Sequence, residues 1–202
     1  MPPTDASLSG LVLAAGAGTR HGRPKALVVP WLAESVHLLL DAGCARVTVV
    51  LGASADEARA LVPDDPKIMT VVAERWSDGI GQSLRAGLAH ATGGAVVVTL
   101  VDLPGTPVSV VERLLATPGT LRQAVFHGRP GHPVVIGAEH WAGLSEALTG
   151  DRGARDYLVA HGVVEVECAD LHDGLDRDTP RVENAHRRPS PPDRTDPPGG
   201  PP

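Results

Sequence analysis

Hydrophobic and polar positions alternate in blocks along this chain. Short, nearly continuous apolar runs occupy Leu11–Ala14, Arg46–Leu51, Ile68–Val72 and Ala95–Leu100. Runs of this length, mostly rich in Val and Leu, predict strands buried on both faces. Between them the spacing becomes helical. Ala33–Ala42 ends at Gly43, and Asp56–Val62 stops at Pro63. Gly81–Ala91 carries Leu84 and Leu88 one turn apart, and Val108–Leu115 lies between Pro107 and Pro118. Glycine beyond a helix accepts the left-handed cap conformation, and proline cannot continue the hydrogen-bond ladder. Strands alternating with helices predict an α/β chain with a parallel or mostly parallel sheet and helices on both faces.

After residue 120 the pattern changes. Gln123–Phe126 and Pro133–Ile136 read as two short strands joined by a loop, His127 to His132. Helices at Ala138–Leu148 and Ala154–His161 follow, then a strand at Val163–Glu167. This half reads as an insertion covering one end of the sheet. Ligands of open α/β sheets bind beyond the carboxyl ends of the strands, so a second substrate is expected between the first loop and this half. The last stretch, PSPPDRTDPPGGPP, offers nothing to bury against chain entropy and predicts disorder. The expected organisation is a flexible N-terminus over 1–8, one domain over 9–186 (divided at 120/121) and a disordered tail over 187–202. No internal repeat is visible.

Composition narrows the function. With 202 residues the chain can bury one sizeable core. Its net charge of −6, from 18 basic and 24 acidic side chains, argues against a nucleic-acid partner. Three Trp, one Tyr and one Phe give little surface for stacking single strands. Cys44 and Cys168 stand in no metal or C-x-x-C spacing and read as buried small residues in a reducing compartment. The opening MPPTDASLSG lacks the basic start and apolar core of a signal peptide. No apolar run reaches the ~18 residues that a membrane span needs, so a cytoplasmic protein without a membrane partner is expected.

The chemistry is concentrated in LVLAAGAGTRHGRPKAL, residues 11–27. An apolar strand feeds a turn with Gly16, Gly18 and Gly22, followed by two cations, Arg20 and Lys25. Glycines let backbone N–H groups approach an anion closely, and the cations neutralise it. Two common phosphate loops do not fit. A dinucleotide fingerprint requires G-x-G-x-x-G, and here the third glycine falls one residue late. A Walker loop requires Gly-Lys-Ser or Gly-Lys-Thr, and here Gly22 is followed by Arg23-Pro24-Lys25-Ala26. The pattern present, L-A-A-G-x-G-T-R-x-G-x-P-K, resembles the signature of the MobA-like NTP transferases, in particular the branch of molybdenum cofactor cytidylyltransferases. The resemblance implies a Rossmann-like, nucleotide-diphospho-sugar transferase-like single domain. It also implies a nucleotide bound by Leu13, Ala14, Ala15, Gly16, Gly18 and Lys25, its triphosphate on the backbone N–H groups of Ala15 to Gly18, with Arg20, Lys25 and Asp102 catalytic.

Other motifs follow in the family's order, over roughly residues 8–185. Asp102, in D-L-P after the fourth apolar run, matches the family's metal-binding Asp; a plain strand-end cap would look the same. Mg²⁺ takes few ligands from protein and the rest from phosphate and water, so one carboxylate there suffices. ERWSDGIGQSLRAGL, residues 74–88, resembles W-x-x-G-x-x-x-S-L-x-x-G-L at Trp76, Gly79, Ser83, Leu84, Gly87 and Leu88. Ser83 is then a nucleotide contact in the first turn of a helix, or a helix hydroxyl with no ligand. Relatives carry an Asn shortly before the Trp, where this chain has Glu74-Arg75. GRPGHP and GDRGAR, at 128–133 and 150–155, resemble G-x-x-G-H-P-V and G-D-x-G-A-R of the cytidylyltransferase branch. They suggest His132, Asp151 and Arg155 as acceptor contacts, His132 projecting from an extended loop before proline. Asp151 and Arg155 form a local salt bridge on the blander reading. Asp178, in D-x-D-T-P, is either a second metal ligand or the N-cap of a short helix. Between Lys25 and Ala42 the chain departs from relatives by lacking a short Gly-containing turn.

The resemblance implies attack of an acceptor phosphate oxygen on the α-phosphorus of an NTP, with Mg²⁺ as cofactor and pyrophosphate leaving. The attacking oxygen is already anionic, so catalysis reduces to positioning and charge neutralisation. GTP-using relatives often have Gly at the position of Ala15. The extra methyl narrows the pocket and favours a pyrimidine, hence CTP, with a molybdopterin-type phosphate acceptor and a molybdenum hydroxylase apo-enzyme as recipient. Two alternatives compete. One is transfer to another phosphate, such as a sugar 1-phosphate or phospho-acid. The other is a non-catalytic nucleotide- or cofactor-binding delivery protein, against which intact Arg20, Lys25 and Asp102 argue.

Overall fold

A computed structural model describes residues 7–19, 21–150 and 153–175. Seven strands form one sheet in the order β3-β2-β1-β4-β6-β5-β7. The first four are β1 (Leu8–Ala14), β2 (Arg46–Leu51), β3 (Ile68–Val72) and β4 (Ala95–Leu100), all mutually parallel. Then come β5 (Leu121–Phe126), β6 (Arg129–Gly137) and β7 (Val164–Glu167). β6 runs antiparallel to both β4 and β5, and β7 is parallel to β5.

Strand alternation divides the core. Val12, Val49, Leu51 and Val97 face one way, toward Leu32, Val36 and Leu39 of α1 (Trp31–Asp41) and Val110, Val111 and Leu114 of α4 (Val108–Ala116). Ala58 of the short α2 (Ala55–Arg59) joins that layer. Leu11, Leu13, Val50, Val96 and Val98 face the other way. They meet Leu84 and Leu88 of α3 (Ile80–Leu88), Leu144 of α5 (Trp141–Ala147) and Leu158 of α6 (Arg155–Ala160). Successive strand side chains point to opposite faces, so apolar residues at every position are what a sheet with helices on both sides requires. α3 lies flush on the sheet because Gly87 has no side chain. A Cβ there would stand 2.3 Å from Leu11 Cδ1. Arg85 ties α3 to α5, donating through Nε to the Ser145 carbonyl at 2.9 Å and through Nη2 to that of Leu148 at 2.6 Å.

The second half differs from its expected form in two ways. It does not cap one end of the sheet; β6, β5 and β7 extend it beyond β4, because their inward residues are as apolar as those of the first half. The loop between β5 and β6 is also shorter than the glycines and prolines of 127–132 suggest. His127 (φ 53°) and Gly128 (φ 73°) alone make the turn, both in the left-handed region that tight hairpins use. Glu167 holds that turn by accepting from the backbone N–H groups of His127 and Gly128. His132 therefore lies within β6, not on a loop. Among the described residues, no helix is long and apolar enough to cross a membrane. Residues 1–6 and 187–202, expected to be flexible, lie outside the described residues, and β1 already begins at Leu8.

Candidate active site

A cleft of about 450 Å³ opens at the carboxyl ends of β1 and β4. One wall is the turn after β1. Gly18 has φ +61°, and a Cβ on it would lie 1.9 Å from the Arg23 carbonyl oxygen, so this crossing admits only glycine. Gly16 is different. It lines the cleft, and a Cβ there meets no atom within 4 Å, which leaves the room beside it to a ligand. Among the described residues, no group accepts from the N–H of Gly16, Ala17, Gly18 or Thr19. Unpaired N–H groups in a curled loop make a concavity suited to an anion.

Asp102 stands across from this turn, just beyond β4. It is nearly buried (9 % exposed). Lys25 Nζ donates to its Oδ2 at 2.6 Å, with both side chains largely shielded from solvent. Its second oxygen, Oδ1, is buried and has no hydrogen-bond partner among the described residues. A buried carboxylate oxygen without a donor is costly unless something else occupies it, and a hard divalent cation is the ligand that such an oxygen suits. The same cleft holds a second orphan, Nδ1 of His21, whose ring packs against Trp31 at 5.6 Å between centroids. His21 falls at a variable position of the loop motif, so nothing in the sequence singles it out.

The structure gathers most of the sequence candidates here. Leu13, Ala14, Ala15, Gly16, Gly18, Lys25, Ser83 and Asp102 all line the cleft. Ser83 is 4 % exposed, and its hydroxyl has no partner among the described residues. His132 and Arg155 do not line it. His132 lies two residues beyond Val134, which pairs with Val98, and so reaches the end of β4 from which Asp102 emerges. Its imidazole pKa is pushed down to about 4, because burial disfavours the cation more than the nearby Asp102 charge favours it. His132 is accordingly neutral at physiological pH, a hydrogen-bonding group and not a charge. Arg155 opens α6 and is exposed. The segment before it leans on α3, where a Cβ at Gly153 would touch Ile80 Cγ2 at 3.3 Å. Arg20, Asp151 and Asp178 lie outside the described residues. Neither cysteine takes part: both are buried and free, and burial pushes the Cys44 thiol up to about 12.

A glycine turn, a lysine and a carboxylate face one another across the carboxyl ends of parallel strands of an α/β sheet, an arrangement suited to an anion. The MobA-like NTP transferase domain matches residues 10–166, and the chain belongs to that family. Two relatives carry names of different chemistry. The chain is 38% identical over 198 residues to nicotine blue oxidoreductase of Paenarthrobacter nicotinovorans, covering 89% of this chain and 95% of that one. It is 31% identical over 148 residues to molybdenum cofactor guanylyltransferase of Rhodobacter capsulatus, covering 66% and 65%. Among solved structures, the homologue of Mycobacterium tuberculosis Rv0371c from Mycobacterium sp. strain JC1 superposes with a TM-score of 0.70 at 28% identity, over 85% of this chain and 90% of that one. Rv0371c in complex with manganese shares the fold, with a TM-score of 0.64 at 24% identity, over 82% and 89%.

Proposed function

We propose that this chain is a divalent-metal-dependent nucleotidyltransferase that moves a nucleoside monophosphate, preferentially from CTP, onto a molybdopterin-type phosphate. The single observation that carries this reading is the juxtaposition of Lys25 and Asp102 at the mouth of a turn whose N–H groups have no acceptor among the described residues. The N–H groups of Gly16 to Thr19 hold the triphosphate. Lys25 leaves Asp102 for the phosphates as they enter, and Arg20 adds a second positive charge. Asp102, whose Oδ1 has no partner among the described residues, would hold a divalent cation such as Mg²⁺, which would supply charge neutralisation at the phosphates. Asp178 is a candidate for a second oxygen ligand. An acceptor phosphate oxygen forms a bond to the α-phosphorus, and the α–β bridging bond breaks with its electron pair leaving on pyrophosphate. Ser83 contacts the nucleotide, while neutral His132, Asp151 and Arg155 position the acceptor on the side of the second half. The recipient of the product is a molybdenum hydroxylase apo-enzyme.

Base choice rests on Ala15. Its methyl is buried at the cleft wall, and the smaller base suits the space it leaves. The relative named as a guanylyltransferase makes GTP the competing nucleotide. The relative named as an oxidoreductase supports a second reading: electron transfer, with a redox cofactor laying its phosphates on the same turn, although the glycine spacing departs from the dinucleotide fingerprint. One experiment separates these readings. Purified protein is given Mg²⁺ with CTP, GTP or ATP, with molybdopterin cofactor, a sugar 1-phosphate or no acceptor, and pyrophosphate release is measured. Parallel samples follow loss of reduced-nicotinamide absorbance. Release with CTP only when molybdopterin is present supports the proposal. Release with a sugar phosphate alone, or nicotinamide oxidation with no release, overturns it.

A further inference from the structure

The cleft has polar and apolar lining, and the apolar part includes an unassigned aromatic. Gly16 to Thr19, Lys25 and Asp102 supply the polar end. Trp76, Ala15 and Ile80 supply apolar surface, the last a large side chain left 38 % exposed. Trp76 is firmly seated. A Cβ on Gly52 would stand 2.6 Å from Trp76 Cγ, 2.5 Å from the Ala15 carbonyl oxygen and 2.8 Å from Ala15 Cβ. The indole thus lies on the bare backbone of Gly52, beside the Ala15 methyl. The Ala15 carbonyl is itself fixed, accepting from Ala53 N–H at 2.9 Å. The turn that carries the indole, Trp76–Asp78, is clasped by Arg75, whose Nε and Nη2 reach Asp78 Oδ2 at 2.8 and 2.7 Å.

We infer that Trp76 is the stacking wall for the nucleotide base. On this inference Ala15 and Gly52 are positioning residues that set the depth of that wall, so the Ala15 methyl selects the base through the indole. The assignment rests on the nucleotide reading above. With a triphosphate on the glycine turn, the base lies in the rest of the cleft, where the indole of Trp76 offers the largest flat apolar face among the lining residues, and a rigid indole covers a base at little conformational cost. This also explains why Gly52, outside every loop motif, has no side chain.

The test is calorimetric binding of α,β-methylene-CTP and of inorganic tripolyphosphate, with Mg²⁺, to the wild type, Trp76→Phe and Trp76→Ala. Tripolyphosphate has no base and reports the polar end alone. Trp76→Ala weakens the CTP analogue by roughly 5- to 150-fold, the range that one lost base–aromatic stack carries, and leaves tripolyphosphate within about twofold. Trp76→Phe keeps most of the affinity. Equal loss of both ligands in Trp76→Ala, or no loss of the analogue, overturns the assignment. If the wild type binds neither ligand, the nucleotide reading itself is overturned, and this inference with it. Should Trp76→Ala fail to fold, quenching of Trp76 fluorescence in a Trp31→Phe, Trp141→Phe chain decides. The CTP analogue quenches it and tripolyphosphate does not; equal responses overturn the assignment.

Discussion

Lys25 and Asp102 hold one another before any ligand arrives, and that pairing accounts for how a carboxylate can be nearly buried and still ready. Removing the charge of Asp102 while keeping its shape should separate binding from turnover. Asp102→Asn is expected to keep triphosphate affinity within a few-fold and to lower pyrophosphate release by at least ~10²-fold; steady-state rates and calorimetry on the same sample check it. Cys44 gives a stability prediction independent of function. Its thiol pKa is raised by burial from 9.0 to about 12 in the fold, so between those values the native state holds a proton that the unfolded chain has lost. Stability falls as pH rises through that window, and Cys44→Ala, measured by urea denaturation at pH 8 and 10, should flatten the fall. At this scale the sequence was informative wherever a motif fixed a residue's neighbours, as it did for Lys25, Ser83 and Asp102. It was silent on the Lys25–Asp102 contact, which spans 77 positions, and on His21, whose orphan nitrogen shows only when the ring is packed on Trp31.

The turn after β1 and the face of α3 are the elements on which the site depends. Gly18 takes a left-handed φ with another strand of backbone where its side chain would go. Gly18→Ala should open the turn, and nucleotide affinity should drop at least about tenfold while far-ultraviolet circular dichroism stays native. Gly87 is tight for a packing reason instead. A methyl there meets Leu11 and Val50 within 3 Å, and overpacking of this kind costs about 1–3 kcal/mol. For a chain of this size Gly87→Ala should lower Tm by several degrees, a shift that calorimetric scanning resolves. β2, β3 and β4 begin and end where their apolar runs do; β2 and β4 are buried on both faces and leave no ambiguity of period, whereas β3 is a half-buried edge strand. The hairpin of β5 and β6 was less legible. Its connecting residues, rich in glycine and proline, resemble a long loop, yet two left-handed residues suffice to reverse the chain, and His132 is carried into a strand.

At the scale of the whole molecule, one sheet joins both halves, and the second half meets the cleft through β6 beside β4 and through the segment before α6 against Ile80. The alternation of strands and helices made the α/β class readable. The edge at which β6, β5 and β7 joined was not, since an antiparallel addition and a capping insertion leave the same short apolar runs. The net charge of −6 fits a small anionic ligand gripped by a few local cations and disfavours a polyanion bound across a surface. The measurement that tests the central claim most directly is the fate of the α-phosphate. With CTP labelled at that phosphate, Mg²⁺ and molybdopterin cofactor, a single turnover should move the label into a pyrophosphate-linked cytidine product, one label per pyrophosphate released. Label that remains entirely in CTP, with acceptor present and the protein folded, would contradict the account.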